Sequence, residues 1–416
     1  MTQSLSPPVE RHLGVDLHKH YLVIGGVNAR QEEVLLPRRI ELDDWPKWAQ
    51  AHLKLSDIIV VEATTNTWDF YDLTVPLVKQ VIVADPRKIA WIAHAKVSTD
   101  PQAALKLARL SAAGLVPAVW VPPPEVRELR ALITHREQLV KIQTMVKNRL
   151  HSLLHRHHLI LPTGDPFAPA NRAWWDDLKV SPTERLHIRH DLATLTHIVA
   201  QIEDVDAELR RLSCSEPWCW DVPYLMQLPG VGLVIAMTVL SAIGDISRFP
   251  HAKKLVGYSG LGAGVHDSGQ TRRTGHMTKE GRKELRHVLV EAMWVAVETS
   301  PFWKAEFERL CAHMHKNKAI VALARKLLVA IWHVLHERQA DRHADPDKVA
   351  FKFMIWSWKL TAEQRAGLTT RQFVRYQLMR LKLGDDLTHV VRGGSRHLIA
   401  PPEEILALQP ELPFTT

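Results

Sequence analysis

Leu13-Gly-Val-Asp-Leu17 and Ile58-Ile-Val-Val-Glu62 are two short apolar runs that each deliver a carboxylate near their C-terminal end. Runs of this length, rich in β-branched residues, read as buried strands. Side-by-side pairing would bring Asp16 and Glu62 together. Around them, strand and helix patterns alternate: His12–Asn28 reads as a hairpin, Glu33–Ile40 as a strand, Asp44–Leu53 as a helix and Asp57–Glu62 as a strand. Thr67–Lys79 has helical spacing, Val81–Ala84 is a further strand, and Pro86–Ala95 and Pro101–Ala113 are helical, the second capped by Asp100. This order predicts a mixed sheet with helices.

From Pro124 to about Leu159 the pattern becomes one long helix, with Leu132, Leu139, Val146 and Leu153 at heptad spacing and Ile142 between them. It reads as a coiled-coil arm. The helical stretch Pro182–Leu212 either folds back as its antiparallel partner or leaves the seam for another protomer. Cys214–Val222 is a connector, and Pro223–Asp245 reads as two helices around the turn Pro229-Gly-Val-Gly232, with further helices to about Arg338. Beyond Ala340 come an aromatic segment, Phe351–Trp358, a helix Thr370–Leu383 and a proline-bearing end without legible chemistry. The expected division is 1–120 for the sheet domain, 121–222 for the arm and connector, 223–340 for a mostly α domain and 341–416 for a C-terminal extension.

With 53 Lys plus Arg against 45 Asp plus Glu, the net charge is +8, and 24 histidines can add to it beside a polyanion. Nucleic acid is the natural partner class. Cys214, Cys219 and Cys311 form no disulfide framework and no zinc-type spacing, which fits a reducing cytoplasm. The N-terminal residues lack a charged-then-apolar signal pattern and no run of about 18 apolar residues is apparent, so neither export nor membrane spanning is expected.

Buried carboxylates are costly unless paired, and a divalent cation removes that cost. Asp and Glu offer hard oxygens that suit Mg²⁺ or Mn²⁺, and such ions stabilise the attacking and leaving oxygens of phosphodiester substitution. The structural alternative is that Asp16 and Glu62 cap strands and pair with His18 or Lys19, while Asp100 only caps a helix.

Gly14-Val-Asp-Leu-His-Lys-His20, Val60-Val-Glu-Ala63, Ala84-Asp-Pro-Arg-Lys88 and Asp100-x-x-Ala-Ala-x-x-Leu-Ala-Arg-Leu110 together resemble the RuvC-like DEDD domain of the insertion-sequence one-ten family of transposases. Further along, Leu228-Pro-Gly-Val-Gly232, Gly244-Asp-Ile-Ser-Arg-Phe-Pro250, Leu255-Val-Gly-Tyr-Ser-Gly-Leu-Gly262, His266-Asp-Ser-Gly269 and Thr278-Lys-Glu-Gly-Arg-Lys-Glu-Leu-Arg286 resemble that family's C-terminal transposase domain. The resemblance implies an α/β plus α protein: an RNase H-like (RuvC-like) mixed sheet, a coiled-coil helical arm and a mostly α-helical transposase domain. It implies Asp16, Glu62 and Asp100 as metal ligands and a fourth acidic residue at position 103, where this chain has alanine. Ala103 is then a replacement that impairs the site, natural or engineered, and the intact motif around it favours the second.

The same resemblance implies Ser268 as the nucleophile that joins covalently to DNA, with His266, Arg272 and Arg273 near in sequence. Ser259 and Tyr258 are rivals whose apolar flanks argue for packing. The turn containing Gly230 and Gly232 is similar to a helix-hairpin-helix element that grips phosphate through backbone amides. Arg272, Arg273, Lys279, Arg282, Lys283 and Arg286 would neutralise phosphates, as would Lys141, Lys147, Arg149 and Arg156 on the arm. Each set also reads as a solvated charged face. His151 and His155 share a helix face but lack a third ligand, His157 and His158 end the arm, and Cys311, His313 and His315 read as packing and surface residues. Trp68 and Trp91 are available to stack on bases.

The implied activity is DNA cleavage and rejoining by an RNA-guided recombinase. Its implied partners are donor and target DNA, a structured bridge RNA and further copies of the chain, as dimers assembled into a tetramer, in the bacterial cytoplasm and on the nucleoid when active. A metal-dependent, structure-selective endonuclease resembling a Holliday-junction resolvase would need only the acidic residues, and a non-enzymatic nucleic-acid-binding protein would need neither site.

Overall fold

In the computed structural model, which describes residues 9–92, 99–268 and 271–408, strand β1 (His12–Leu17) lies at the centre of a five-stranded sheet. It pairs antiparallel with β2 (Tyr21–Val27), which pairs antiparallel with β3 (Glu33–Glu41). Helix α1 (Trp45–His52) crosses over to β4 (Ile58–Glu62), and α2 (Thr67–Thr74) to β5 (Gln80–Ala84). Both β4 and β5 run parallel to β1, giving the order β3-β2-β1-β4-β5. Helix α3 (Pro86–Ile92) follows, and its expected continuation to Ala95 lies outside the described residues.

Side chains alternate across a strand, and here the alternation divides labour. Leu13, Val15, Leu17, Ile59 and Val61 enter one core with Leu22, Ile24, Trp45 and Phe70. Gly14 and Asp16 occupy the other face, where Val60 packs with Leu107 and Leu110 of α4 (Asp100–Ala112). A Cβ on Gly14 would lie 1.9 Å from the Ala104 carbonyl oxygen and 2.6 Å from the Ala108 amide nitrogen. The helix therefore rests directly on the β1 backbone. At the opposite end of the sheet, Arg11 holds buried Asp57 through Nε–Oδ1 and Nη2–Oδ2 bonds of 2.8 and 2.6 Å.

Asp100 is not the cap of its helix. Thr99 has the extended N-cap conformation, Asp100 is the first helical residue, and the Ala103 amide donates to the Thr99 carbonyl at 2.8 Å. This frees the Asp100 carboxylate for side-chain partners.

The chain divides by contacts into two units, Met1–Pro122 and Pro123–Thr416. The second begins with α5 (Pro124–Arg156), followed by short α6 (Arg172–Asp177) and α7 (Pro182–Ser213). Helices α5 and α7 run antiparallel within one chain, tied by Arg136–Asp206, Arg149–Asp191 and His157–Glu184. Leu139, Val146 and Leu153 of the heptad are buried, Leu132 is half-buried, and Ile142 remains 37% exposed on the outer side. A capping box of Ser181 and Glu184 starts α7.

Helices α8 (Val222–Met226), α9 (Leu233–Ile243) and α10 (Ala252–Ser259) lead into a β6–β7 hairpin (Ala263–Ser268 and Thr271–Met277) where the sequence pattern predicts helices. Both strands are short and rich in Gly, His and Arg, so neither carries the apolar alternation by which strands are read. Then come α11 (Lys283–Thr299), α12 (Pro301–Cys311) and α13 (Lys316–Glu337). By length and mean hydropathy α13 is apolar enough to cross a membrane, although Arg325 and Lys326 interrupt its apolar run. Ile320, Leu323, Leu327, Leu328 and Ile331 along it are buried within the protein core.

Residues beyond 340 form α14 (Pro346–Trp358), α15 (Thr370–Leu381), a β8–β9 hairpin (His389–Arg392 and Ser395–Leu398) and α16 (Pro402–Leu408). They are fastened to earlier helices: Trp356 Nε1 donates to Ser213 Oγ at 3.1 Å, and Lys352 Nζ donates to the carbonyls of Met226, Leu228 and Val231 at 2.9, 2.6 and 3.1 Å.

Replacing Gly14 by Ala is expected to destabilise the sheet unit by at least about 1–3 kcal/mol, since the new methyl meets helix backbone rather than a movable side chain. Ala104→Gly should not rescue it, because the clash is with a carbonyl. Denaturation of both variants checks this; unchanged stability in Gly14→Ala would contradict the packing.

Candidate active site

The Gly14 contact places the first turn of α4 beside the C-terminal end of β1. His18 Nε2 lies 3.4 Å from Asp16 Oδ2 and 3.3 Å from Asp100 Oδ2. One ligand atom from each of the three residues lies within 4.8 Å of the others, the group of metal-type donors found among the described residues. The His18 Nε2 atom is buried and makes no hydrogen bond. Its ring stacks on Tyr21 at 4.5 Å, whose hydroxyl donates to Asp100 Oδ2 at 3.1 Å, and the Arg39 guanidinium lies over the Tyr21 ring at 3.7 Å from its centroid. Asn66 Nδ2 donates to the His18 carbonyl at 2.9 Å and fixes the loop.

Glu62 stands on the neighbouring parallel strand. The register pairs Val15 with Val61, so Asp16 and Glu62 follow at the same level. Its carboxylate is outside the 4.8 Å group, yet the two carboxylates feel each other. Burial pushes Glu62 above its usual range, Lys106 pulls it down and Asp16 raises it. Asp16 is raised by burial, lowered by His18, raised again by Asp100 and lowered by Lys106. Desolvated, mutually repelling carboxylates beside an imidazole nitrogen that makes no hydrogen bond are a donor set that fits a divalent cation. Position 103, one turn along α4 from Asp100, contributes only a methyl group.

The sequence pattern marks His18 only as a pairing partner and gives no role to Tyr21 or Lys106. The available signal for His18 is its place two residues after Asp16 at a strand end. Lys106 carries none, because its relation to Asp16 and Glu62 depends on where α4 lands. Trp68 packs partly into the sheet core, whereas Trp91 is 91% exposed.

In the second unit, Ser268 is the last residue of β6, opposite Thr271 at the hairpin end, with Gly269 and Gln270 outside the described residues. Asp267 is registered with Arg272 and His266 with Arg273. The rivals are used internally: Ser259 is buried with Oγ donating to the Val256 carbonyl at 2.8 Å, and Tyr258 donates to the Ala242 carbonyl at 3.1 Å.

Several expected phosphate-neutralising groups have other work. Arg286 Nη1 donates to the carbonyls of Ser259 and Glu280, holding the loop that precedes α11. Arg149 pairs with Asp191 and Arg156 with Glu184, joining the two arm helices, although both side chains stay at least half exposed. Lys147 lies over the Phe167 ring at 5.2 Å. Lys279 and Lys283 are exposed and Arg282 is half-buried. In the Pro229–Gly232 turn, Gly230 has φ +76°, and a Cβ there would lie 1.9 Å from the Ala292 carbonyl, so this glycine serves close packing on α11; Gly232 faces open space. His151 packs edge-on against Phe167, His157 pairs with Glu184, and His315 caps α13 by accepting from the Asn317 amide.

Comparison with known proteins defines the class as transposase. The transposase IS116/IS110/IS902 family profile matches residues 222–308, and the DEDD transposase profile of IS110 matches residues 13–159. The chain belongs to this IS110-type transposase family, whose members are enzymes that cleave and rejoin DNA. It is 27% identical over 305 residues to y4qE of Sinorhizobium fredii (strain NBRC 101917 / NGR234), named as a transposase, covering 73% of this chain and 75% of that protein. It is 26% identical over 349 residues to the transposase for insertion sequence element IS1111A of Coxiella burnetii (strain RSA 493 / Nine Mile phase I), covering 79% and 91%. It is 25% identical over 303 residues to the pilin gene-inverting protein of Moraxella bovis, covering 70% and 84%.

A carboxylate whose pKa is raised on folding destabilises the fold once it ionises; that cost sets in as pH rises through and above the usual carboxylate range. A bound cation removes it. The increase in melting temperature produced by Mg²⁺ or Mn²⁺ should therefore be larger at pH 8 than at pH 5 and should disappear in Asp16→Asn. An equal increase at both pH values would speak against ionised Asp16 and Glu62 as its source.

Proposed function

We propose that the protein is an RNA-guided DNA recombinase in which Asp16, Glu62 and Asp100 hold Mg²⁺ or Mn²⁺ and Ser268 is the nucleophile. The observation that carries the metal half is the convergence of Asp16, Asp100 and the His18 Nε2 atom, which makes no hydrogen bond, beneath α4. The sheet order β3-β2-β1-β4-β5, with its antiparallel meander and two parallel crossovers, supports an RNase H-like reading of the first unit. The cation supplies charge neutralisation at a scissile phosphate. Imidazole is a softer donor than carboxylate, so His18 favours a transition ion such as Mn²⁺ over Mg²⁺.

Ser268 stands at a hairpin end, opposite Thr271. Its hydroxyl attacks phosphorus, the serine–phosphate bond forms as the bond to a deoxyribose oxygen breaks, and that oxygen leaves with a proton. Attack by a deoxyribose hydroxyl on the phosphoserine reverses the step and rejoins the strand, with no external energy source. Exposed Lys279 and Lys283 contribute to neutralising the DNA. Guide pairing in a structured RNA selects donor and target, and protomers assemble as dimers into a tetramer. This reading rests on the resemblance set out above and on the net basic charge.

Ala103 removes one carboxylate from the α4 side of the site and impairs metal-dependent chemistry. Purified protein and an Ala103→Asp variant, incubated with Mg²⁺, the element's RNA and labelled donor and target DNA, test the proposal on denaturing gels run before and after protease. Ala103→Asp should raise product yield about 10–100-fold, the usual span for a metal-site support, and yield a protease-sensitive DNA adduct that Ser268→Ala abolishes. Cleaved ends without an adduct would establish a plain nuclease instead, and binding without products in either version would point to a non-enzymatic role.

A further inference from the structure

A cavity of about 1040 Å³ opens in the second unit between the Pro229–Gly232 turn and α14 of the C-terminal extension. Lys352 of α14 reaches across its base to three carbonyls around that turn. One wall is aromatic: Phe302 stacks on His343 with ring centroids 3.7 Å apart and planes 14° from parallel, and Phe351 stands further along. Gly232 presents open space there, and α9 begins immediately after it with no side chain capping its first amides. At the opening Lys348 and Arg392 pair with Asp345 and Asp347, and exposed Lys359 adds positive charge.

A second observation points to a ligand. Gln227 lines the cavity and is 1% exposed. Its Oε1 accepts from the Asp341 amide at 2.9 Å, which fixes the orientation of the side-chain amide and leaves Nε2 enclosed without a hydrogen-bond partner. An orphan donor of this kind costs free energy in an empty site and marks where an acceptor belongs.

We propose that this cavity takes a nucleobase with its 5′-phosphate, extruded from a single-stranded segment of the nucleic acid on which the protein acts. The base lies along the Phe302 wall with a carbonyl or ring nitrogen toward Gln227. The phosphate meets the amides at the start of α9 and the Lys359 ammonium. Aromatic stacking is tolerant of base identity, and the helix N-terminus recognises phosphate without reading sequence. DNA and RNA share this chemistry. The inference rests on the nucleic-acid reading of the preceding subsection and needs neither the metal nor Ser268. It also gives a role to the residues beyond 340, which build one side of the pocket.

Full-length protein is mixed with short single-stranded DNA carrying 4-thiothymidine and, separately, with RNA carrying 4-thiouridine, followed by long-wavelength irradiation and mapping of crosslinked peptides. Crosslinks to the peptide bearing Phe302 or to α14 are expected, from DNA or RNA according to which supplies the base. Ile355 lines the cavity and is 40% exposed, so Ile355→Glu places a carboxylate opposite the phosphate without disturbing the core. It should lower pocket crosslinking roughly tenfold, Ile355→Gln should restore most of it, and crosslinks to arm peptides should persist in both. Arm crosslinks with none in the pocket, or pocket crosslinks unchanged by Ile355→Glu, would overturn the pocket alone. Absence of crosslinks anywhere would overturn it together with the nucleic-acid reading.

Discussion

The candidate site depends on one backbone-to-backbone approach, Gly14 of β1 against Ala104 and Ala108 of α4. No other residue permits a helix to lie so close to a strand, and the closeness fixes where the helix begins relative to the strand end. Asp100, one turn before Ala104, is thereby set beside Asp16, two residues after Gly14, and Lys106 is brought within electrostatic reach of Asp16 and Glu62. Strand alternation puts Asp16 on the α4 face while Val15 and Leu17 anchor the opposite core. The site is thus built on packed elements rather than loops, apart from His18, which is held by its stack on Tyr21 and by Asn66.

The second unit relies on polar staples between segments far apart in sequence. Lys352 gathers three carbonyls around the Pro229–Gly232 turn, and burial lowers its pKa to about 8. Arg375, buried at 1% exposure, donates to the carbonyls of Ala400, Gly384 and Leu387 and so organises the chain end. Such bonds satisfy backbone groups that loops would otherwise leave orphaned in the interior. They make residues beyond 340 an integral part of the helical unit rather than an appendage, and they leave a cavity where the two segments meet.

Period-two and period-3.6 patterns are legible wherever one face of an element is buried. The strands from His12 to Glu62, the helix from Pro124 and its partner from Pro182 are all readable in this way. What escapes is set by tertiary contact or lacks an apolar face. The β6–β7 hairpin has neither alternation nor β-branched runs, and the β8–β9 hairpin spans only four residues a side. Asp100 looks like a cap because it precedes a proline, but Thr99 already has the capping conformation. In the acidic group, Asp16, Glu62 and Asp100 stand out by motif and strand ends; His18 does not, because a histidine after a strand is ordinarily a surface residue until a second element closes over it. Of the basic residues, charge alone does not separate Lys279 and Lys283, which stay exposed, from Arg286, which holds a loop together.

The most direct test of the account is a Mn²⁺ titration of the full-length protein followed by electron paramagnetic resonance with detection of coupled nitrogen. Bound Mn²⁺ is expected to show a nitrogen coupling that is lost in His18→Ala, and binding is expected to be abolished in Asp16→Asn. Mn²⁺ binding that is indifferent to both substitutions, or no binding at all in the unmodified and Ala103→Asp proteins alike, would contradict the reading of Asp16, His18 and Asp100 as a metal centre.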